Sequence, residues 1–139
     1  MKSLEDALMG RARVAKELSI TYEQEAQQVR EIEMNTAMTQ AKMNVVATQA
    51  YRRAERKLDV IIEQMKTFFS SEECAHFDKA NQAWRTYQQI HADFAASQYE
   101  GGSIQPLIHA SALEAVTIAR IVELETEQDT QVPYAEREA

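Results

Sequence analysis

The sequence predicts an all-α fold, a bundle of about four helices. Three observations carry this reading. The 139 residues include only three Gly and two Pro, so few breaks interrupt the chain and its elements are long. Apolar residues recur at spacings of three and four along successive windows, the period of a helix face. No alternating apolar–polar run bounded by turn residues occurs, which argues against a sheet. Hydrophobic residues make up 45% and charged residues 27% of the chain, the balance of a globular domain with one core.

Residues 3–33 read as a first long helix. Its stripe is Leu4, Leu8, Ala12, Ala15, Leu18, Tyr22, Ala26, Val29 and Ile32. Ser3 is placed to cap it, with Glu5 and Asp6 facing the positive end of the dipole. The stripe is poor in large side chains, so this helix needs a partner to stay folded. Gly10 costs about 1 kcal/mol relative to Ala and marks a kink or a close contact. Met34 to Thr39 is a boundary, and Asn35, Thr36 and Thr39 are all competent N-caps.

A second long helix spans residues 40–69. Its stripe is Met43, Ala47, Ala50, Ala54, Leu58, Ile61, Met65 and Phe68, and Val46, Ile62 and Phe69 widen it. Ser70 followed by Glu73 fits a capping box and starts a third helix, which runs to about Ala96. Its apolar line is Phe77, Ala80, Trp84, Tyr87, Ile90 or His91, and Phe94, with Trp84 and Tyr87 expected to share one aromatic cluster with the core. Gln98 to Pro106 holds the turn. Gly101 and Gly102 allow positive φ, Ser103 can cap the next helix, and Pro106 suits a first helical turn. The fourth helix runs to about Glu127, with a face of Leu107 or Ile108, Ala112, Ala115 or Val116, Ala119, Val122, and Glu123 or Leu124. The domain organisation is then an extension helix over 1–33, a helical domain over 34–127 and an acidic tail over 128–139.

The net charge is −7 and unevenly spread. Residues 1–33 carry −2, residues 34–70 carry +3 and residues 71–139 carry −8. The acidic second half disfavours nucleic acid and anionic membrane as partners and suits a basic protein. Arg52, Arg53, Arg56 and Lys57 form a short basic band that Glu55 and Asp59 interrupt, so it reads as a solvated helix face. No apolar run approaches the roughly 20 residues that span a bilayer. One cysteine, Cys74, and no apolar leader point to a cytoplasmic protein. A signal removed before residue 1 would instead place it in the periplasm or outside the cell.

No constellation for catalysis appears. His76, His91 and His109 lack zinc-ligand spacing and no Cys pair supports them. Cys74 has no sequence partner that marks it as a nucleophile. Gly101-Gly102 is followed by no phosphate-binding signature. A site assembled from His91, His109 or Arg120 has no recognisable triad or metal set behind it. The sequence therefore predicts a protein that is not an enzyme and uses no cofactor or metal.

Three segments in order carry a resemblance. They are A-N-Q-A-W-R-T-Y around Trp84, then G-G-S-I-Q-P, then a helix with Leu113, Thr117, Arg120 and Leu124. Together with T-Q-A-K-M-N at Thr39–Asn44, and Ala54 and Leu58 after it, they resemble the LprI-type lysozyme-inhibitor domain family over roughly residues 34–127. Ala83, Trp84 and Tyr87 match the first segment, and Gly101, Gly102, Ser103 and Pro106 match the turn. The family's four usual cysteine positions fall on Met34, Val46, Ala92 and Ala112, all apolar here. Its Gln and Arg are Asn81 and Gln88, and its Asp-Leu-Asn is Glu55, Leu58 and Asp59. The resemblance implies a small helical binding domain that inhibits lysozyme, in which Trp84, Tyr87, Thr117 and Arg120 are structural motif residues.

The function expected is therefore inhibition of a partner enzyme, a lysozyme-like muramidase or a toxin, in the manner of an immunity protein. Tyr99, Glu100, Gly101, Gly102 and Ser103 form the candidate partner-binding turn. The alternative for that turn is a plain helical corner in which Gly supplies φ > 0. The alternative for the protein is a structural scaffold that self-associates through its N-terminal helix.

Overall fold

A computed structural model describes residues 4–36 and 39–137, with side chains from residue 9 and without those of residues 35 and 36. Ser3, Met38 and the side chains of Leu4 and Leu8 lie outside the described residues. Four long helices form an up-down-up-down bundle: α1 (Leu4–Thr36), α2 (Gln40–Lys66), α3 (Ser71–Ser97) and α4 (Gln105–Thr130). A single-turn α5 (Tyr134–Arg137) completes the described chain. No strand occurs among the described residues.

Two of the expected caps are present. The Thr39 hydroxyl accepts from the Lys42 amide at 3.2 Å and starts α2. The Ser70 hydroxyl accepts from the Glu73 amide at 3.1 Å, while the Glu73 carboxylate accepts from the Ser70 amide at 2.9 Å. This reciprocal pairing satisfies two donors that the first turn of α3 would otherwise leave open.

Helix α4 is the centre of the bundle. It packs on α1, α2 and α3. Its main partner is α2, whose buried side chains Ala47, Ala50, Ala54, Leu58, Ile61 and Met65 follow the predicted stripe. Leu58, Ile61 and Met65 join Ile121 and Leu124 in the core cluster, with Trp84, Phe69 and Phe77 at its edge.

The predicted face of α4 is mostly corrected. Its buried residues are Ala110, Leu113, Glu114, Thr117, Arg120, Ile121, Leu124 and Thr126, whereas Ala115 and Ala119 are exposed. A helix touched on three sides carries no single apolar stripe, so periodicity had little to report. The apolar line of α3 is also corrected. Gln88, Ala92 and Ala96 are buried, while Tyr87, Ile90 and Phe94 face solvent. Alanines let α3 approach α4 closely. Gln88 is admitted because its Nε2 donates to the Thr117 hydroxyl at 2.8 Å, and Thr117 donates on to the Leu113 carbonyl at 2.7 Å. A buried amide is tolerated only when paired in this way.

Helix α1 has no fully buried residue among its described side chains. Ala15, Leu18, Tyr22 and Ala26 are half-buried, while Ala12, Val29 and Ile32 are exposed. Polar contacts fasten it to its own chain. Arg11 pairs with Glu127, and the Tyr22 hydroxyl donates to Glu125. Arg53 pairs with Glu33 at 2.7 Å, and Lys57 lies 3.7 Å over the Tyr22 ring. The basic band of α2 is thus partly consumed by α1. Arg30 approaches Glu114 to 3.4 Å. Glu114 is buried, and desolvation pushes its carboxyl above the usual range against the pull of Arg30 and Arg53.

The C-terminal segment folds back. The Tyr134 amide donates to the Phe68 carbonyl at 2.8 Å, and Arg137 donates to the same carbonyl at 2.8 Å and to Glu73 at 2.6 Å. Arg137 and the Ser70 amide hold the Glu73 carboxyl down to about 2. Because the folded value lies below the unfolded one, this contribution is present above the unfolded pKa and is lost as pH falls through about 2. Amide protection of residues 134–137, taken relative to the intrinsic exchange rate at each pH, should therefore fall between about pH 4.5 and pH 2, ahead of protection in α2. Arg137→Gln should remove that early step.

Candidate functional site

The α3–α4 corner is built from short turns. After Ser97 the Tyr99 amide donates to the Ala96 carbonyl at 2.9 Å, and the Gly102 amide to the Tyr99 carbonyl at 3.0 Å. The Gln105 amide then donates to the Gly102 carbonyl at 3.2 Å. Gly101 has φ +79°, a conformation that side-chain-bearing residues rarely adopt. A Cβ on Gly102 would sit 3.2 Å from the Tyr99 carbonyl oxygen. Both glycines thus have a geometric reason to be there. Ser103 does not cap α4: the cap position is Ile104, with no side-chain hydrogen bond. Pro106 lies in the first turn, as its missing N–H allows.

All five candidate residues, Tyr99, Glu100, Gly101, Gly102 and Ser103, are exposed on this one corner. Beside it runs a groove of about 680 Å³ between α2, α3 and α4, lined among others by Tyr51, Arg52, Asp93, Glu100, Gln105 and His109. His109 Nε2 lies 3.0 Å from Asp93 Oδ1 across the hairpin. Asp93 and His109 each stand eight residues from Gly101. Antiparallel helices pair residues equidistant from their turn, so this juxtaposition was legible once the turn was placed. Arg52 comes from α2 and no local pattern ties it to the turn. The groove offers a guanidinium, an imidazole and two carboxylates to a partner. No group of His, Cys, Asp or Glu that could hold a metal ion occurs among the described residues.

The four motif residues divide. Trp84 is half-buried at the core edge, with Arg85 and Arg120 guanidinium carbons 5.1 and 6.0 Å from its ring. Arg85 is held in turn by Glu55. Thr117 is fully buried. Arg120 is buried and donates to Asn81 at 2.7 Å and Glu123 at 2.5 Å. Tyr87 does not join this cluster. It stacks on His91, centroids 5.6 Å apart, on the outer face of α3.

The motif spacing on α4 is more telling than hydropathy. Leu113, Thr117, Arg120 and Leu124 are all buried, so the segment that carries the resemblance is the segment that faces the other helices. The family described as Lysozyme inhibitor LprI matches residues 31–124, about two thirds of the chain. No curated protein and no solved structure gives a match. The match ends on Leu124, in the core cluster, and takes in α2, α3, the corner and most of α4. On that extent, and with Trp84, Thr117 and Arg120 at the α3–α4 contact, the chain belongs to the LprI lysozyme-inhibitor family.

Proposed function

We propose that the protein inhibits a lysozyme-like muramidase by binding it without catalysis, with the Tyr99–Ser103 corner entering the enzyme's cleft. Family membership carries the reading. The exposed corner and its polar groove support the choice of surface, since a loop held on two rigid helices presents side chains at little entropic cost. The charge supports the class of target. Lysozymes are commonly basic, and an acidic inhibitor is steered toward them. A phage endolysin or a toxin with muramidase activity is the alternative target of the same surface.

The test is a titration against several purified muramidases, following the clearing of a peptidoglycan suspension and binding by calorimetry. Wild-type protein should inhibit at a stoichiometric ratio. Glu100→Lys combined with Ser103→Arg should weaken binding at least about tenfold, mostly through faster dissociation. Asp129→Lys, a charge reversal on the far end of α4 like that of Glu100→Lys, should leave affinity nearly unchanged. Inhibition that survives the corner substitutions moves the contact elsewhere. No inhibition of any muramidase removes the proposal.

A further inference from the structure

Helix α3 turns three large apolar side chains to solvent. Tyr87, Ile90 and Phe94 are 56%, 63% and 61% exposed. His91 stacks on Tyr87 and lies 6.4 Å from the Phe94 ring, which makes the patch continuous. With Ala83 the three recur at spacings of four, three and four, the seam spacing of a helix that packs along another helix. Among the described residues the seam has no partner in its own chain, because α3 meets α4 through Gln88, Ala92 and Ala96 on the opposite side.

The composition of this face is that of an interface centre. Between Lys79 and Asp93 the α3 sequence carries one strong charge, Arg85, and Glu55 of α2 holds it. The exposed residues there are Ala80, Gln82, Ala83, Thr86, Tyr87, Gln89 and Ile90. Charge depletion with aromatic enrichment distinguishes the centre of an interface from ordinary surface.

We infer that this face joins two copies of the chain, with their α3 helices antiparallel about a two-fold axis at Ile90. The flanking charges select the occupant and the direction. Lys79 is exposed and stands eleven residues before Ile90, and Glu100 is exposed and stands ten after it. Glu100 lies on the flank of Asp93 and Ser97, where helical phase also places Lys79, Gln82 and Thr86. Antiparallel helices bring equivalent flanks together. Each Lys79 then meets Glu100 of the second copy, Tyr87 meets Phe94, and Asp93 falls opposite Thr86. No like charges oppose one another. A parallel pair would set this flank against the opposite one and would not bring Lys79 to Glu100. The helical part of this face, from Lys79 to Ser97, is about 27 Å long at 1.5 Å per residue. Its footprint lies at or below the roughly 800 Å² per partner of a stable complex, so the dimer is reversible.

The test uses the full chain alone, so its result is independent of the muramidase reading. Sedimentation equilibrium from micromolar to near-millimolar protein should show the mass rising from 15.8 kDa toward twice that value. Ile90→Glu and Phe94→Glu, at exposed positions, should keep the far-ultraviolet spectrum and weaken association more than about tenfold. Lys79→Glu should also weaken it, and Lys79→Glu with Glu100→Lys should restore it. A chain that stays monomeric throughout, or a dimer indifferent to Ile90→Glu, overturns the inference. A charge swap that fails to restore association overturns the antiparallel pairing.

Discussion

Leu58→Ala is expected to lower unfolding free energy by about 3 kcal/mol, within the usual range for a leucine truncated in a core. Leu58 has no exposed surface and sits in the cluster with Ile61, Met65, Ile121 and Leu124, where α2 meets the central helix. The loss has two parts. One is the transfer energy of the removed methyl and methylene groups, and the other is the cavity that two long helices cannot close. Because α4 also carries α1 and α3, the change should lower one cooperative transition rather than loosen one helix. Urea unfolding followed by circular dichroism and by Trp84 fluorescence checks this, and the two probes should stay coincident. Val60→Ala, on the same helix but 56% exposed, should change stability by less than about 0.5 kcal/mol.

Arg120→Ala is expected to cost about 2–3 kcal/mol, the scale of losing charge-assisted hydrogen bonds from a buried guanidinium. The side chain binds Asn81 on α3 and Glu123 on its own helix, and its stem fills space beside Trp84. Its Nε is buried with no hydrogen-bond partner, so the site already carries one desolvation cost. Arg120→Lys should recover only part of the loss. An ammonium keeps the charge but cannot reach both acceptors with a planar fork. A cycle with Trp84→Phe should show a coupling of about 0.5–1 kcal/mol if the guanidinium–ring contact contributes. An Arg120→Ala change within experimental error of wild type would mean that Asn81 and Glu123 are satisfied by water at no net cost.

Much of the fold was legible in the sequence because it rests on local chemistry. The α2 stripe from Ala47 to Met65 predicted its buried face, since α2 is buried mainly along one side. Ser70 and Glu73 predicted the start of α3, since a capping box is closed within four residues. The Gly101-Gly102 pair predicted positive φ at the corner, and Gly101 alone takes it there, a conformation open to a residue without a side chain. The stripe on α1 predicted a helix but not how it docks. That depends on Arg11, Tyr22, Arg30 and Glu33 meeting groups far along the chain.

The faces of α3 and α4 were not legible from hydropathy. On α3 the apolar line Tyr87, Ile90 and Phe94 is the outer face, while an amide and two alanines form the inner one. The reason is reciprocal. Gln88 is a core residue only because Thr117 stands opposite, and Thr117 is available only because α4 is central. At the candidate site the corner residues Tyr99 to Ser103 were identifiable from their turn chemistry. The groove beside them needed α2 to bring Tyr51 and Arg52 alongside Asp93 and His109.

By itself, then, the sequence determined the helical class, the breaks between helices, the capping box and the turn, and its motif order pointed to the family. These arise from backbone propensity and short-range side-chain bonding, which act within a few residues. Only the tertiary structure decided which helix is central, which polar side chains are buried and which apolar ones are left in water. Burial is a property of what stands opposite, and pairing a buried polar group requires a partner that one helix cannot supply to itself.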